Sequence, residues 1–479
     1  MIDCTFSDII TKRGTEVNRI SADRLSDNLP EYADNSGDDI MTDVKDTKDM
    51  KRKIFERLAA WKNKKTRKPL ILWGARQVGK TWTLRKFGKE HFPNVVYISF
   101  YNNSRIAEIF EKDYDTDRII TALEVELHTT INSEDTLMIF DEIQGAPKVL
   151  ESLKYFCEEK REYAICAAGS LLGVALHEGV SFPVGKVDEL HLYPMSFQEF
   201  LMAAGEERLA DLLENGDFER INDFSARYTD LLKQYYVVGG MPEVVGNFVQ
   251  DRDYEEARGI QNDILNQYEG DFGKHVKAEE LPRIRMVWNS LPAQLSKENK
   301  KFFFGQIKKG ARSKDYEIAL QWLADAGLIY KVNKVTKPAM PLKSYADMTA
   351  FKVYMNDVGL LGAMSELDPE SIITGNDIFT EFKGALTEQY VLQQMICETE
   401  YTPYYYSSEK SAYEVDFLIQ SGKNVIPVEV KAEVNLKAKS LKYYYDKFDP
   451  AYALRISMLP YKEQDWLVNV PLWGVQNIK

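Results

Sequence analysis

Apolar and polar positions follow two rhythms along this chain. Between residues 69 and 200, five short apolar runs, PLILW, NVVYISF, TLMIFDE, EYAICAAGS and VDELHLY, are separated by stretches with helical periodicity. Near-continuous apolar runs spaced by helices predict parallel strands covered on both faces, an α/β sheet. Residues 201–275 lose the strand runs and read as mostly helical. Residues 276–365 are helix-rich again and close on SKDYEIALQWLADAGLIYKVNKV, where an amphipathic helix stops at Gly327 and a β-branched strand begins. After the linker SELDPES, residues 378–479 predict one helix, a hairpin, another helix and a late strand. The amphipathic KRKIFERLAAWKNKK precedes the first strand. Residues 1–50, with SDNLPEYADNSGDDIMTD at their centre, are acidic and aperiodic, and their composition predicts a mostly disordered extension.

Composition narrows the classes. At 479 residues the chain is too long for one ordinary core and predicts several domains. A hydrophobic share of 44% with 28% charged residues is that of a globular protein, and no apolar run approaches a membrane span. The N-terminus lacks a signal-peptide pattern, so the chain reads as cytoplasmic. A net charge of −13 argues against indiscriminate nucleic-acid binding by the whole molecule but leaves room for a local basic groove. Cys4, Cys157, Cys166 and Cys397 are scattered, and there are five histidines, so neither a zinc site nor a disulfide framework is indicated.

Directly after PLILW comes GARQVGKT, which is Gly74, Ala75, Arg76, Gln77, Val78, Gly79, Lys80 and Thr81, followed by Trp82 in a helical run. Strand, glycine loop and helix in this order form a phosphate cradle. Its backbone N–H groups turn onto the phosphates, Lys80 supplies a charge to the β- and γ-phosphates, and the Thr81 hydroxyl ligates Mg²⁺. TLMIFDE ends in Asp141 and Glu142, which would hold Mg²⁺ through water and orient or deprotonate the attacking water. EYAICAAGS ends in Ser170, at the strand edge where ligands of parallel sheets bind. A γ-phosphate sensor and a plain turn serine both fit that position.

Near the C-terminus, EVDFLIQSGKNVIPVEVKA reads as a hairpin turning at Gly422 and Lys423, which places Asp416 opposite Glu429 with Lys431 on the same face. Facing carboxylates need compensation. A metal ion would supply it, and so would an exposed, solvated face.

The ordered set LILWGARQVGKT, LMIFDEIQ, AAGSLLG, LYPMSFQEF and YYVVGGMPEVV resembles the prokaryotic AAA-superfamily ATPases that carry a C-terminal domain of unknown function, over residues 51–479. The resemblance implies an ATPase core at 51–200, a helical lid at 201–275, a winged-helix-like segment at 276–365 and a PD-(D/E)XK restriction-endonuclease-like domain at 378–479. It marks Ser170 as a sensor residue. Glu388 of GALTEQYVLQQM, Asp416 and Glu429 would then hold Mg²⁺ or Mn²⁺, with Lys431 positioning the attacking water. Relatives carry Gly-Arg where this chain has Gly185-Lys186, and lysine lacks the guanidinium fork. Arg161, after the helix that follows TLMIFDE, is the substitute candidate for an arginine finger. KKGARSK at 308–314 and KAEVNLKAKSLKYYYDK after the hairpin offer lysines and tyrosines to a phosphate backbone. The expected function is an ATPase whose nucleotide cycle controls a metal-dependent nuclease-like domain on DNA. The alternative is an ATP-dependent switch that binds a partner, DNA or protein, without cleaving. Oligomeric state is left open by the residues.

Overall fold

The computed structural model describes residues 50–479 apart from 176–180, 298–299, 376, 409–412, 433–438 and 479. The acidic extension and part of the basic stretch after the hairpin therefore lie outside the described residues.

The five apolar runs become five parallel strands, β1 (Leu70–Trp73), β2 (Asn94–Ser99), β3 (Thr136–Asp141), β4 (Ala164–Ala168) and β5 (Asp188–His191), ordered β2-β3-β4-β1-β5. Strand periodicity explains why these runs are apolar throughout. Leu70, Leu72, Leu137, Ile139, Ala164 and Cys166 face one core, whereas Ile71, Met138, Phe140, Ile165 and Ala167 face a second core on the other side. Both faces are dry because helices cover both.

Residues 197–295 are helical, ending in the long helix Tyr254–His275 and the helix Leu281–Leu295. The helix Phe197–Ala203 starts with a capping box in which Ser196 and Glu199 exchange side-chain to backbone bonds. The helix Glu317–Asp325 ends just before Gly327, as its pattern predicts.

The remaining strands form one mixed sheet of eight: β6 (Ile329–Val335), β7 (Ala346–Met355), β8 (Tyr404–Ser407), β9 (Glu414–Ser421), β10 (Asn424–Val430), β11 (Ala453–Ser457), β12 (Lys462–Glu463) and β13 (Leu467–Pro471), ordered β12-β13-β11-β10-β9-β8-β6-β7. The sheet differs from the sequence expectation, which lacked β7 and β8. The strands of segment 276–365 belong to the same sheet as those of 378–479, because β6 pairs with β8. The single late strand is three, of which β11 is a fully buried five-residue run and β12 has two residues. No helix among the described residues is long and apolar enough to cross a membrane.

Asp357, fully buried, ties the two sheets' surroundings together. Its carboxylate accepts from Gly240 N at 2.6 Å, Leu360 N at 3.0 Å and Gln393 Nε2 at 3.0 Å. Removing it orphans buried donors, each costing about 1–3 kcal/mol. Asp357→Ala is expected to destabilise by about 3 kcal/mol or more in urea denaturation. A loss under about 1 kcal/mol would show that these donors find other partners.

Candidate functional site

The loop Gly74–Gly79 joins β1 to the helix Lys80–His91 at the C-terminal edge of the parallel sheet. The chain passes so close to Leu192 that a Cβ on Gly74 would lie 2.4 Å from its carbonyl oxygen. Only glycine fits there. From below, Arg52 clamps the loop, donating to Val78 O at 3.2 Å and Tyr193 O at 2.7 Å while pairing with Glu199 at 3.1 Å.

Lys80 is buried, and its Nζ donates to Gly74 O and Ala75 O, each at 2.8 Å. Burial pulls its pKa down to about 8; Glu142 and Asp141 act in the opposite sense, and Arg76 adds to the lowering. Thr81 Oγ1 donates to Asp141 Oδ2 at 2.6 Å, and the Tyr97 hydroxyl donates to the same oxygen at 3.0 Å. A hydroxyl and a buried carboxylate in contact beside a phosphate loop fit Mg²⁺ bound with ATP, with Thr81 and Asp141 as the holding residues.

Glu142 has φ 54°, an uncommon conformation for a non-glycine residue. Ser170 Oγ donates to its Oε1 at 3.0 Å, and Gln144 Nε2 donates to its Oε2. These residues line a cavity of about 880 Å³ together with Arg76, Lys274 and Lys277. Arg76 Nη1 pairs with both oxygens of Asp271, at 2.6 and 2.7 Å, Gln77 bonds Gln267 at 2.6 Å, and the Tyr268 hydroxyl donates to Arg76 O at 2.9 Å. Three ties thus run from the cradle to the helix Tyr254–His275. Trp82 is partly exposed, packed edge-on against Phe55 at 6.1 Å.

Within one chain, neither Arg161 nor Lys186 reaches this cradle. Arg161 precedes β4 and Lys186 precedes β5, so both sit at the N-terminal edge of a parallel sheet whose C-terminal edge holds the loop. Arg161 donates to Cys157 O, and Lys186 pairs with Glu158 at 2.8 Å.

In the C-terminal sheet the hairpin turns at Gly422, whose φ of 57° needs glycine, and Lys423. The register Val428↔Phe417 continues to Asp416 beside Glu429, and Asp416 Oδ2 accepts from Val430 N at 2.8 Å. An open, solvated face is ruled out: Glu429 is 5% exposed. A hairpin taken alone has a wet side, but β8 and β11 flank this one, and the helices Asp377–Glu398 and Lys439–Phe448 pack on it.

The compensation is supplied by lysines. Glu388 is buried and accepts from Lys352 Nζ at 3.1 Å, from Lys300 Nζ and from the Tyr354 hydroxyl. Lys352 also pairs with Glu414 at 2.6 Å, and Lys431 pairs with Glu429 at 2.7 Å. Burial raises the Glu388 pKa, but Lys300 and Lys352 outweigh it and hold the carboxyl below its usual range. Asp416 moves up, through burial and the neighbouring Glu388 charge. Among the described residues no group of three or more His, Cys, Asp or Glu is placed to hold a metal ion. In the expected ligand set, ammonium groups hold both oxygens of Glu388 and Oε1 of Glu429, while Asp416 accepts from a backbone N–H. Lys352 carries a readable signal, a lone charge inside the apolar run AFKVYM, whereas Lys300, Tyr97 and Gln144 carry none beyond their neighbourhood.

A family model described as an AAA domain matches residues 66–201, and two domains of unknown function, DUF8612 and DUF4143, match 229–371 and 383–473. No curated protein matches the chain. Among solved structures, a Walker-type ATPase of Pyrococcus abyssi is 14% identical over 66% of this chain and 95% of its own, with a TM-score of 0.41. The Aeropyrum pernix ORC1 protein in complex with DNA is 16% identical over 66% and 90%, with a TM-score of 0.27. RuvB of Thermotoga maritima is 14% identical over 61% and 91%, with a TM-score of 0.28. The AAA-domain match and the strand–loop–helix cradle support an ATPase domain of the AAA, P-loop type at residues 66–201.

Lys80→Ala is expected to abolish ATP turnover in a phosphate-release assay; unchanged hydrolysis would remove Lys80 from the chemistry. Because burial leaves the ligand-free Lys80 with a pKa near 8, phosphate binding above that pH must recruit a proton. ATP affinity, measured by fluorescence titration, is expected to weaken by up to about tenfold per pH unit above 8, with a flat profile below it. An affinity constant from pH 7 to 10 would contradict this.

Proposed function

We propose that the chain is an ATP-driven switch in which nucleotide binding and hydrolysis at the cradle alter how the C-terminal half engages DNA, without cleaving it. The observation that carries this reading is Lys352. Its side chain is fully buried and its ammonium holds Glu388 and Glu414, while Lys300 takes the other oxygen of Glu388. A divalent cation needs carboxylate lone pairs turned toward it. Here the protein's own cations already neutralise them.

Charge distribution supports a polyanionic partner. The whole chain carries −13, yet residues 297–352 contain 12 Lys and Arg against 5 Asp and Glu. Lys301, Lys308, Lys309, Arg312 and Lys314 are exposed, and so is the ring of Phe303, with Lys297 at 5.2 Å from its centroid. Exposed cations interleaved with an aromatic face suit a phosphate backbone with bases to stack.

A second reading, a metal-dependent nuclease-like site, is favoured by one feature. Among the described residues, Glu429 Oε2 is buried without a partner, beside Asp416 and Lys431. On this reading Glu388, Asp416 and Glu429 would hold Mg²⁺ or Mn²⁺ once Lys300 and Lys352 moved away.

Two measurements on the full chain separate the readings. DNA affinity is expected to differ between nucleotide-free protein and ATP-bound Glu142→Gln; equal affinities would sink the switch. With Mn²⁺ and no nucleotide, no binding site sensitive to Asp416→Ala and no cutting of single- or double-stranded DNA is expected. A bound Mn²⁺ with cleavage lost in Lys431→Ala would select the nuclease-like reading.

A further inference from the structure

We propose that Arg76 is the arginine of ATP hydrolysis, supplied in cis by the cradle itself, and that Asp271 is its resting partner. The inference rests on the ATPase reading and assigns a residue of the cradle itself to this role. Arg161 and Lys186 lie at the opposite edge of the sheet, engaged with Cys157 and Glu158.

Position comes first. Arg76 is the third residue of the phosphate loop, and it lines the same cavity as Glu142, Gln144 and Ser170. Its charge is felt by Lys80, the ammonium at the base of the loop. The side chain is 41% exposed, whereas Asp271 is 6% exposed, so the guanidinium can leave while the carboxylate stays anchored in its helix. Both contacts to Asp271 use Nη1 alone. Among the described residues the other two nitrogens have no hydrogen-bond partner, which leaves part of the fork for a phosphoryl group. Lys274 and Lys277 line the cavity too, but a lysine is a point charge without that fork.

In hydrolysis the water oxygen bonds to the γ-phosphorus as the bond to the bridging oxygen breaks. That electron pair leaves with ADP, and Glu142 accepts the water's proton. Charge redistributes among the phosphoryl and bridging oxygens, and a guanidinium beside them stabilises that state more than the ground state. Movement of Arg76 would also remove one of the three ties between the cradle and the helix Tyr254–His275, so bound nucleotide would be felt there.

The test uses the full chain with Arg76→Ala, Arg76→Lys and Asp271→Asn, measuring steady-state ATP hydrolysis and the binding of a fluorescent ATP analogue. Both Arg76 variants are expected to lose about 100-fold or more in kcat while binding the analogue within about threefold of wild type. Asp271→Asn is expected to keep kcat within about threefold, because it removes only the resting partner. Arg76→Ala turning over at the wild-type rate would overturn the proposal. So would equal losses in Arg76→Ala and Asp271→Asn, the mark of a purely structural ion pair. Wild-type protein without turnover would overturn the ATPase reading itself, and this assignment with it.

Discussion

Buried side-chain amides on the helix Asp377–Glu398 hold the two halves of the folded chain in register. Gln389 bonds both backbone groups of Met355, at 2.9 Å and 2.7 Å. Gln393 accepts from Val358 N and donates to Asp357 and the Tyr235 hydroxyl, and Gln394 accepts from Phe197 N. All three glutamines are essentially without exposure. A buried amide left unpaired is costly, so this helix can shift only if many bonds re-form together. The same helix carries Glu388 into the lysine cluster, and near its end Glu398 pairs with Lys53 at 2.8 Å, next to Arg52 on the cradle. About ten residues of helix, roughly 15 Å, separate those two points.

The two polar centres answer the same problem differently. In the cradle a buried ammonium rests on loop carbonyls, and a hydroxyl rests on a carboxylate. On the ATPase reading, both are contacts that a phosphate and its cation would replace. In the C-terminal sheet, ammonium groups meet carboxylates directly, and Lys352 has its charge reinforced by Glu388 and Glu414 although burial opposes it. Breaking such a pair leaves an uncompensated buried charge, so the arrangement resists replacement by an incoming ion.

How much of this was legible in the sequence follows from how local each signal is. The five parallel strands, the cradle and the stop before Gly327 are written in contiguous residues, and the hairpin register followed from its two-residue turn. Long-range pairing was not legible. Nothing in IYKVNKV says that it joins a sheet with residues seventy positions away, and that pairing unites strands that the sequence placed in separate segments. The burial of the hairpin was not legible for the same reason, since neighbours and covering helices decide it. Lys300 and Lys352 reach Glu388 only through the tertiary fold, so a spacing-based reading found the carboxylates and missed the cations that satisfy them. Arg76 stood in plain view inside GARQVGKT, but its partner Asp271 is 195 positions away.

On the proposed switch, the nucleotide state of the cradle is transmitted to the C-terminal sheet through this buried polar framework. Hydrogen–deuterium exchange on Glu142→Gln, with and without ATP, tests it most directly. The account predicts ATP-dependent changes in protection along the helix Asp377–Glu398 and in β9 and β10, as well as around the cradle. Changes confined to residues 66–201 would contradict it.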